Sequence, residues 1–195
     1  MNVPNVLSVI RILLAPVFLL LFLTGDPNLQ RISLVVFFIA VLTDWYDGWY
    51  ARKYKSITKT GIFLDPLADK ILTTFAFILF HIKGMLPVWM LAIIALRDIV
   101  VTILRSYDEF RGFTIKTSKI AKAKTFLQMT YIFFALALFI LPTFNISPKL
   151  KADISYFLFD SLTNYIFMLV VTVLTLYTGV AYFVEKRYYK NNEIN

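Results

Sequence analysis

Residues 44–69 read DWYDGWYARKYKSITKTGIFLDPLAD, and they set four aspartates between two apolar runs. The spacing is helical. Asp44 and Asp47 stand at i and i+3, and Gly48 and Ala51 continue the same stripe at i+4 and i+7. Gly61, Asp65 and Asp69 then recur every four residues on one face of a second helix. Two antiparallel helices joined by a short loop turn these faces together and bring the four carboxylates into one pocket. Carboxylates in or beside apolar helices are costly, so acids gathered this way mark a functional site in a helical membrane protein.

The rest of the chain agrees. Of 195 residues, 59% are hydrophobic and only 16% charged, with a mean hydropathy of +0.71. Soluble domains run at about 45–50% apolar and about 25% charged. A soluble enzyme, a disordered segment and a surface-exposed binding module are thereby excluded. The absence of cysteine excludes a disulfide scaffold, a thiolate nucleophile, a Cys-ligated zinc site and an iron–sulfur centre. The single histidine, His81, excludes a multi-His metal site.

Six apolar segments can be traced, over 12–23, 32–50, 61–82, 86–104, 121–141 and 156–184. Residues 2–11 precede the first as a short interfacial lead-in. That first segment is short enough to resemble a signal-peptide core. It lacks a small-x-small cleavage site and a basic lead, and is expected to be retained. Gly25-Asp26-Pro27-Asn28, Lys83-Gly84-Met85 and Ser147-Pro148 carry turn chemistry between segments. No internal repeat is evident, nor the strand alternation of a barrel. The expected fold is a single all-α integral membrane domain over residues 1–195, with six transmembrane helices and the interfacial lead-in.

The net charge of +8 would suggest nucleic acid in a soluble protein. Here it fits anionic headgroups and the positive-inside bias, and no nucleic-acid partner is expected. One set of connections holds Arg52, Lys53, Lys55, Lys59, Arg105, Arg111, Lys116, Lys119, Lys122 and Lys124, with Arg11 at the amino end and Lys186, Arg187 and Lys190 in the tail. The opposite loops hold only Arg31, Lys83, Lys149 and Lys151, while Lys70 and Arg97 fall inside predicted spans. Both termini and the aspartates are therefore expected at the cytoplasmic face of an inner membrane.

Four carboxylates cannot stay ionised in one pocket without compensation. Hard divalent cations supply it, and an all-oxygen set suits Mg²⁺, Mn²⁺ or Ca²⁺. The gap at Gly48 and Ala51 admits a planar or phosphate-bearing ligand, and paired metals beside it suggest phosphoryl transfer. Capping suits one such acid, since Asp65-Pro66 has the form of an N-cap followed by a proline at the first helical position. It does not suit four at this spacing. A small ion or proton transporter would place acids at several depths, whereas these share one face.

The segment resembles the signature of the CDP-alcohol phosphotransferases, D-x2-D-G-x2-A-R-x8-G-x3-D-x3-D, at every fixed position: Asp44, Asp47, Gly48, Ala51, Arg52, Gly61, Asp65 and Asp69. The resemblance implies a six-helix membrane enzyme, commonly a homodimer, that moves a substituted phosphate from a CDP-linked donor to an alcohol and releases CMP. It implies that Asp44, Asp47, Asp65 and Asp69 hold two Mg²⁺ or Mn²⁺ ions and that Asp69 is also the general base. Gly48 and Ala51 would make room for cytidine, Arg52 would contact the diphosphate, and Thr58 would assist at the nucleotide.

Features outside the signature bear on the acceptor. Arg97 lies inside the fourth segment and Arg105 eight residues on, about 12 Å along the same helix face. Asp98 is expected on a different face from Arg97. Lys119, Lys122 and Lys124 enter the fifth segment. Such bases suit an acceptor that carries its own phosphate. The opening NVPNVLSVIRILLAPVF, the phrases TDWYDGWYARKY and FLDPLADK, the Arg97-Asp98 pair and the run KIAKAKTFLQM are similar to those of the phosphatidylglycerophosphate synthases, a branch of the family. That similarity implies CDP-diacylglycerol as donor and sn-glycerol 3-phosphate as acceptor. It implies Arg97, Arg105, Lys122 and Lys124 at the acceptor phosphate, and Asn5 and Ser8, with Arg11, near the nucleotide. Phosphatidylinositol-phosphate synthase is the nearest alternative, since it too needs a pocket for an acceptor phosphate.

Overall fold

The structure is a computed structural model that describes residues 3–54, 61–112 and 118–192, with side chains described for 5–44, 46, 53, 61–112 and 118–184. Among the described residues there are seven α-helices and no strand. They are α1 (Val3–Leu23), α2 (Pro27–Tyr54), α3 (Gly61–Ile82), α4 (Val88–Phe110), α5 (Lys119–Ile140), the short α6 (Pro148–Ser155) and α7 (Leu162–Asn192).

The helix ends follow from local chemistry. Asp26 starts α2, its Oδ1 accepting from the backbone N–H groups of Asn28 (2.7 Å) and Leu29 (3.0 Å), with Pro27 next in sequence. Ser118 caps α5 and Ser147 caps α6, each accepting from the N–H three residues on. Gly25 and Gly84 sit at φ 78° and 83° in the turns before α2 and α4, where a Cβ would be strained. Past Ile140 the chain tightens into a 3₁₀ turn over Leu141–Thr143, as Pro142 cannot continue the α5 ladder.

Several boundaries differ from the hydropathy reading, with α2, α4 and α7 ending at Tyr54, Phe110 and Asn192, past the expected 50, 104 and 184. The expected N-terminal interfacial segment is no separate element: residues 3–11 form the first turns of α1, which runs unbroken through Pro16. Its polar residues are consumed inside the bundle, as shown below. Asp65 is not an N-cap, because α3 begins at Gly61 and holds Pro66 within it. The sixth apolar run is divided. Tyr156–Asp160 form a wide π-turn after α6, and α7 starts only past Ser161, which is extended and whose Oγ accepts from the Thr163 N–H at 3.1 Å.

Four helical stretches are long and apolar enough to cross a membrane: Asn5–Leu23, Pro27–Asp44, Lys119–Thr143 and Leu162–Val184. The protein is therefore read as a multi-pass membrane protein. α3 and α4 are of similar length, but Asp65, Asp69 and Lys70 interrupt one and Arg97, Asp98 and Arg105 the other. These two helices fall short because their ionic residues lie within the apolar run.

α1 packs along both α2 and α3, which touch each other much less. α3 then packs on α4, α4 on α7, and α5 leans on α7. The core between them is aromatic. Phe18 meets Phe37 at 5.0 Å between ring centroids, Phe37 meets Phe133 at 5.7 Å, and Tyr131 stacks on Phe167 at 4.8 Å. The side-chain bonds fix direction. Arg97 bonds Thr178 and Tyr182 bonds Asp108, so α4 and α7 run parallel. Arg31 of α2 bonds Thr143 and lies over the Phe144 ring, which ties the start of α2 to the end of α5. One end of the bundle thus gathers the first half of α1, the second half of α2, the first halves of α3 and α5, and the second halves of α4 and α7.

Candidate active site

The aspartates lie at that shared end. Asp44 on α2 has Asp65 and Asp69 of α3 among the charges close enough to act on it. Direct compensation comes from α1. Arg11 is fully buried; its Nη1 sits 2.7 Å from Asp44 Oδ1, and its Nε donates to the Ala40 carbonyl at 3.2 Å. Ser8, one turn earlier and also buried, donates its hydroxyl to Asp65 Oδ1. Asn5, one turn earlier again, is buried on the same face. The wedge between α2 and α3 therefore clasps one carboxylate of each, and it explains why polar residues open an otherwise apolar helix.

Asp47, Gly48, Ala51 and Arg52 follow Asp44 on α2, but their side chains lie outside the described residues, and Thr58 lies outside them altogether. Among the described residues, no three metal-ligating groups converge on one point. The donors themselves suit a hard cation. They are carboxylate oxygens, with no thiolate in the chain and its one histidine at the far end of α3, where its Nδ1 meets the Leu86 carbonyl at 2.8 Å.

A second ionic group adjoins the first. Lys70 Nζ lies 3.2 Å from Asp69 Oδ2. Lys70 also has Asp98 and Arg97 within electrostatic range. Asp98 meets Arg97, although the sequence led us to expect it to point to a different face. Its Oδ1 accepts from Arg97 Nη1 at 3.0 Å and from Lys124 Nζ at 2.8 Å, and its Oδ2 accepts from Lys124 at 2.8 Å. The long arginine side chain folds back along α4, so neighbours in sequence meet. Asp98 and Lys124 are each 2% exposed. Arg97 Nη2 continues to Thr178 Oγ1 on α7 at 2.8 Å.

Of the four bases expected at an acceptor phosphate, the structure brings Arg97 and Lys124 together. Arg105 stands two turns further along α4, its guanidinium 5.7 Å from the centre of the Tyr182 ring. Tyr182 in turn donates to Asp108 Oδ2 at 2.6 Å. Lys122 is exposed on α5 and is not part of the buried group. Lys70, Asp98 and Thr178 escaped the sequence reading. Lys70 and Asp98 had left a signal, as charges inside predicted spans.

Removing Arg11 should be felt throughout this end of the bundle. Arg11→Ala is expected to destabilise the protein by about 1.5–3 kcal/mol, the worth of a hydrogen bond to a charged group. Arg11→Lys should recover only part of it, since an ammonium lacks the fork that serves Asp44 and Ala40 together. Thermal unfolding in detergent measures both.

Comparison with known proteins points to one family. A family model described as CDP-alcohol phosphatidyltransferase matches residues 1–177. The CDP-diacylglycerol–glycerol-3-phosphate 3-phosphatidyltransferase of Rickettsia typhi is 32% identical over 182 residues, covering 93% of this chain and 95% of that one. The protein of the same name in Bacillus subtilis is 37% identical over 140 residues, 66% of this chain and 72% of its own. A probable phosphatidylglycerophosphate synthase of Mycobacterium tuberculosis is 38% identical over 144 residues, 72% of this chain and 66% of its own.

Proposed function

The chain belongs to the CDP-alcohol phosphatidyltransferase family, and from that premise we propose that it transfers the phosphatidyl group of CDP-diacylglycerol to the C1 hydroxyl of sn-glycerol 3-phosphate, giving phosphatidylglycerophosphate and CMP. The observation that carries this reading is the shared edge between an anionic group and a cationic one, the Asp69–Lys70 pair. Metal-bound diphosphate needs the first, and an acceptor that brings its own phosphate needs the second.

Asp44, Asp47, Asp65 and Asp69 are the residues that would hold two divalent cations, Mg²⁺ or Mn²⁺. Such ions neutralise a diphosphate and acidify a bound hydroxyl. Gly48 and Ala51 leave room for the cytidine. Arg52 and Thr58, with Asn5 and Ser8 on α1, serve the donor's polar end. Arg97, Arg105, Lys122 and Lys124 receive the acceptor phosphate, with Arg97 and Lys124 as its inner wall and Lys122 at its mouth. Asp69 takes the proton from the C1 hydroxyl. The oxygen forms a bond to the β-phosphorus, the bond from that phosphorus to the bridging oxygen breaks, and CMP leaves with the electron pair.

The membrane arrangement proposed with it is six spans in a single domain over residues 1–195, α3 and α4 crossing despite their charges because those charges face one another. The positive-inside bias sets both termini and the site at the cytoplasmic face of the inner membrane. The active form is a homodimer.

The test is CMP release from CDP-diacylglycerol with either sn-glycerol 3-phosphate or inositol phosphate, in Mg²⁺, Mn²⁺ or EDTA. Release that depends on glycerol 3-phosphate and on a divalent ion is expected. A preference for inositol phosphate would reassign the acceptor, and release unaffected by EDTA would remove the metals. Arg105→Ala should raise the KM for glycerol 3-phosphate about ten- to a hundredfold, the worth of one charge-assisted bond, and shift that for the lipid donor far less. An equal rise in both would remove Arg105 from the acceptor pocket.

A further inference from the structure

Asp98 is an acid among bases. It is buried at the middle of α4, and Lys124 from α5, Arg97 from its own helix and Lys70 from α3 all act on it. Counting Asp69, the described residues of this group set two carboxylates against three cations, with side chains drawn from α3, α4 and α5 and a hydroxyl from α7. Three cations held this close, Lys124 buried and Arg97 and Lys70 largely so, repel one another until an anion meets them. Arg97 Nε, also buried, has no hydrogen-bond partner among the described residues. Two details show that the posture of Arg97 is built. Thr178 Oγ1 accepts from its Nη2, and Gly179 beside it leaves the space that the side chain fills. A Cβ at Gly179 would lie 3.0 Å from Arg97 Cγ.

We propose that Asp98 is a positioning residue for the acceptor: it holds Lys124 and Arg97 at a fixed spacing beside Lys70, with Thr178 and Gly179 seating Arg97 from α7, so that the three cations form a preset cradle for a phosphate monoester. The proposal rests on the reading of this end of the bundle as the acceptor pocket. Asp98 does not touch the acceptor; it acts through the bases. Without it the two long side chains repel each other and lose their common anchor, and the incoming phosphate must order them on binding. Lys124 is then no loose anchor at a membrane surface, as a lysine near a helix start would suggest, but a member of a pre-formed site.

Steady-state kinetics on the full-length protein in mixed micelles test this, with CMP release followed while glycerol 3-phosphate and CDP-diacylglycerol are varied in turn. Asp98→Asn should raise the KM for glycerol 3-phosphate about ten- to a hundredfold, with kcat and the KM for the lipid little changed. Asp98→Glu should recover most of that loss. Gly179→Ala and Thr178→Val keep the charge count and disturb only the seat of Arg97. They should raise the same KM by a smaller factor, and they carry the test if Asp98→Asn does not fold. Parallel changes in kcat and both KM values, a lower unfolding temperature with unchanged kinetics, or no rescue by glutamate would make Asp98 a structural ion-pair member and overturn the proposal. Wild-type protein that releases no CMP in response to glycerol 3-phosphate would instead overturn the acceptor reading on which it stands.

Discussion

Asp69→Asn is expected to lower kcat by about 10²–10⁴-fold while leaving CDP-diacylglycerol binding largely intact. The amide has the shape of the carboxylate, so packing around α3 is retained, and the bond from Thr73 Oγ1 goes to the backbone carbonyl of Asp69 and is untouched. What is lost is a group that takes up a proton in the transition state, and general-base catalysis contributes a factor of this size. On the proposed reading Asp44, Asp47 and Asp65 still hold the metals at the donor diphosphate and the α2 face still receives the cytidine, so donor binding should survive. Single-turnover CMP release and equilibrium binding of CDP-diacylglycerol to the same preparation separate the two effects. Near-normal turnover would remove Asp69 as the base. Loss of binding in step with turnover would leave it a metal ligand only.

The second large effect is on stability. Lys124→Met should destabilise the protein by about 3–5 kcal/mol, because the Asp98 carboxylate, 2% exposed, loses both bonds from Lys124 and keeps only the one from Arg97. Methionine fills much of the same volume, so the loss reports charge rather than a cavity. The double variant Asp98→Asn with Lys124→Met should be more stable than Lys124→Met alone. Asparagine still offers Arg97 an acceptor but carries no charge to strand. Thermal unfolding of the wild type, both single variants and the double variant gives the coupling energy. Additive losses would mean that the pair is not coupled, whatever its geometry.

The acid half of the site was legible because its information lies within single helices. Asp44 and Asp47 on one turn, or Gly61, Asp65 and Asp69 on one face, can be read by counting residues. The apolar runs were legible for the same reason, and both ends of α3 and of α5 fell within two residues of the expected ones. Contacts between helices are not written in any spacing. Nothing near Arg11 points to Asp44, and nothing near Arg97 points to Thr178, which stands 81 residues away. Asp98 was misplaced because counting assigns a face to each Cα, whereas an arginine reaches well beyond its own face. Gly179 left no mark at all, since its role is to be absent where another side chain passes.

The wedge of α1 between α2 and α3 also bears on how the protein is made. Ser8 and Arg11 find Asp65 and Asp44 within the first helical hairpin and the helix that follows, so these aspartate contacts can form once α3 has left the ribosome. The cation cradle is different: Lys124 and then Thr178 must still be synthesised before Arg97 and Asp98 are fully satisfied. During that interval Arg97 and Asp98 have only each other and Lys70 to offset their charge, and a nascent helix in that state belongs near the membrane surface rather than in its middle. The order of synthesis thus completes the contacts of Asp44 and Asp65 before those of Asp98 and Arg97, and α7 is the element that closes the second set.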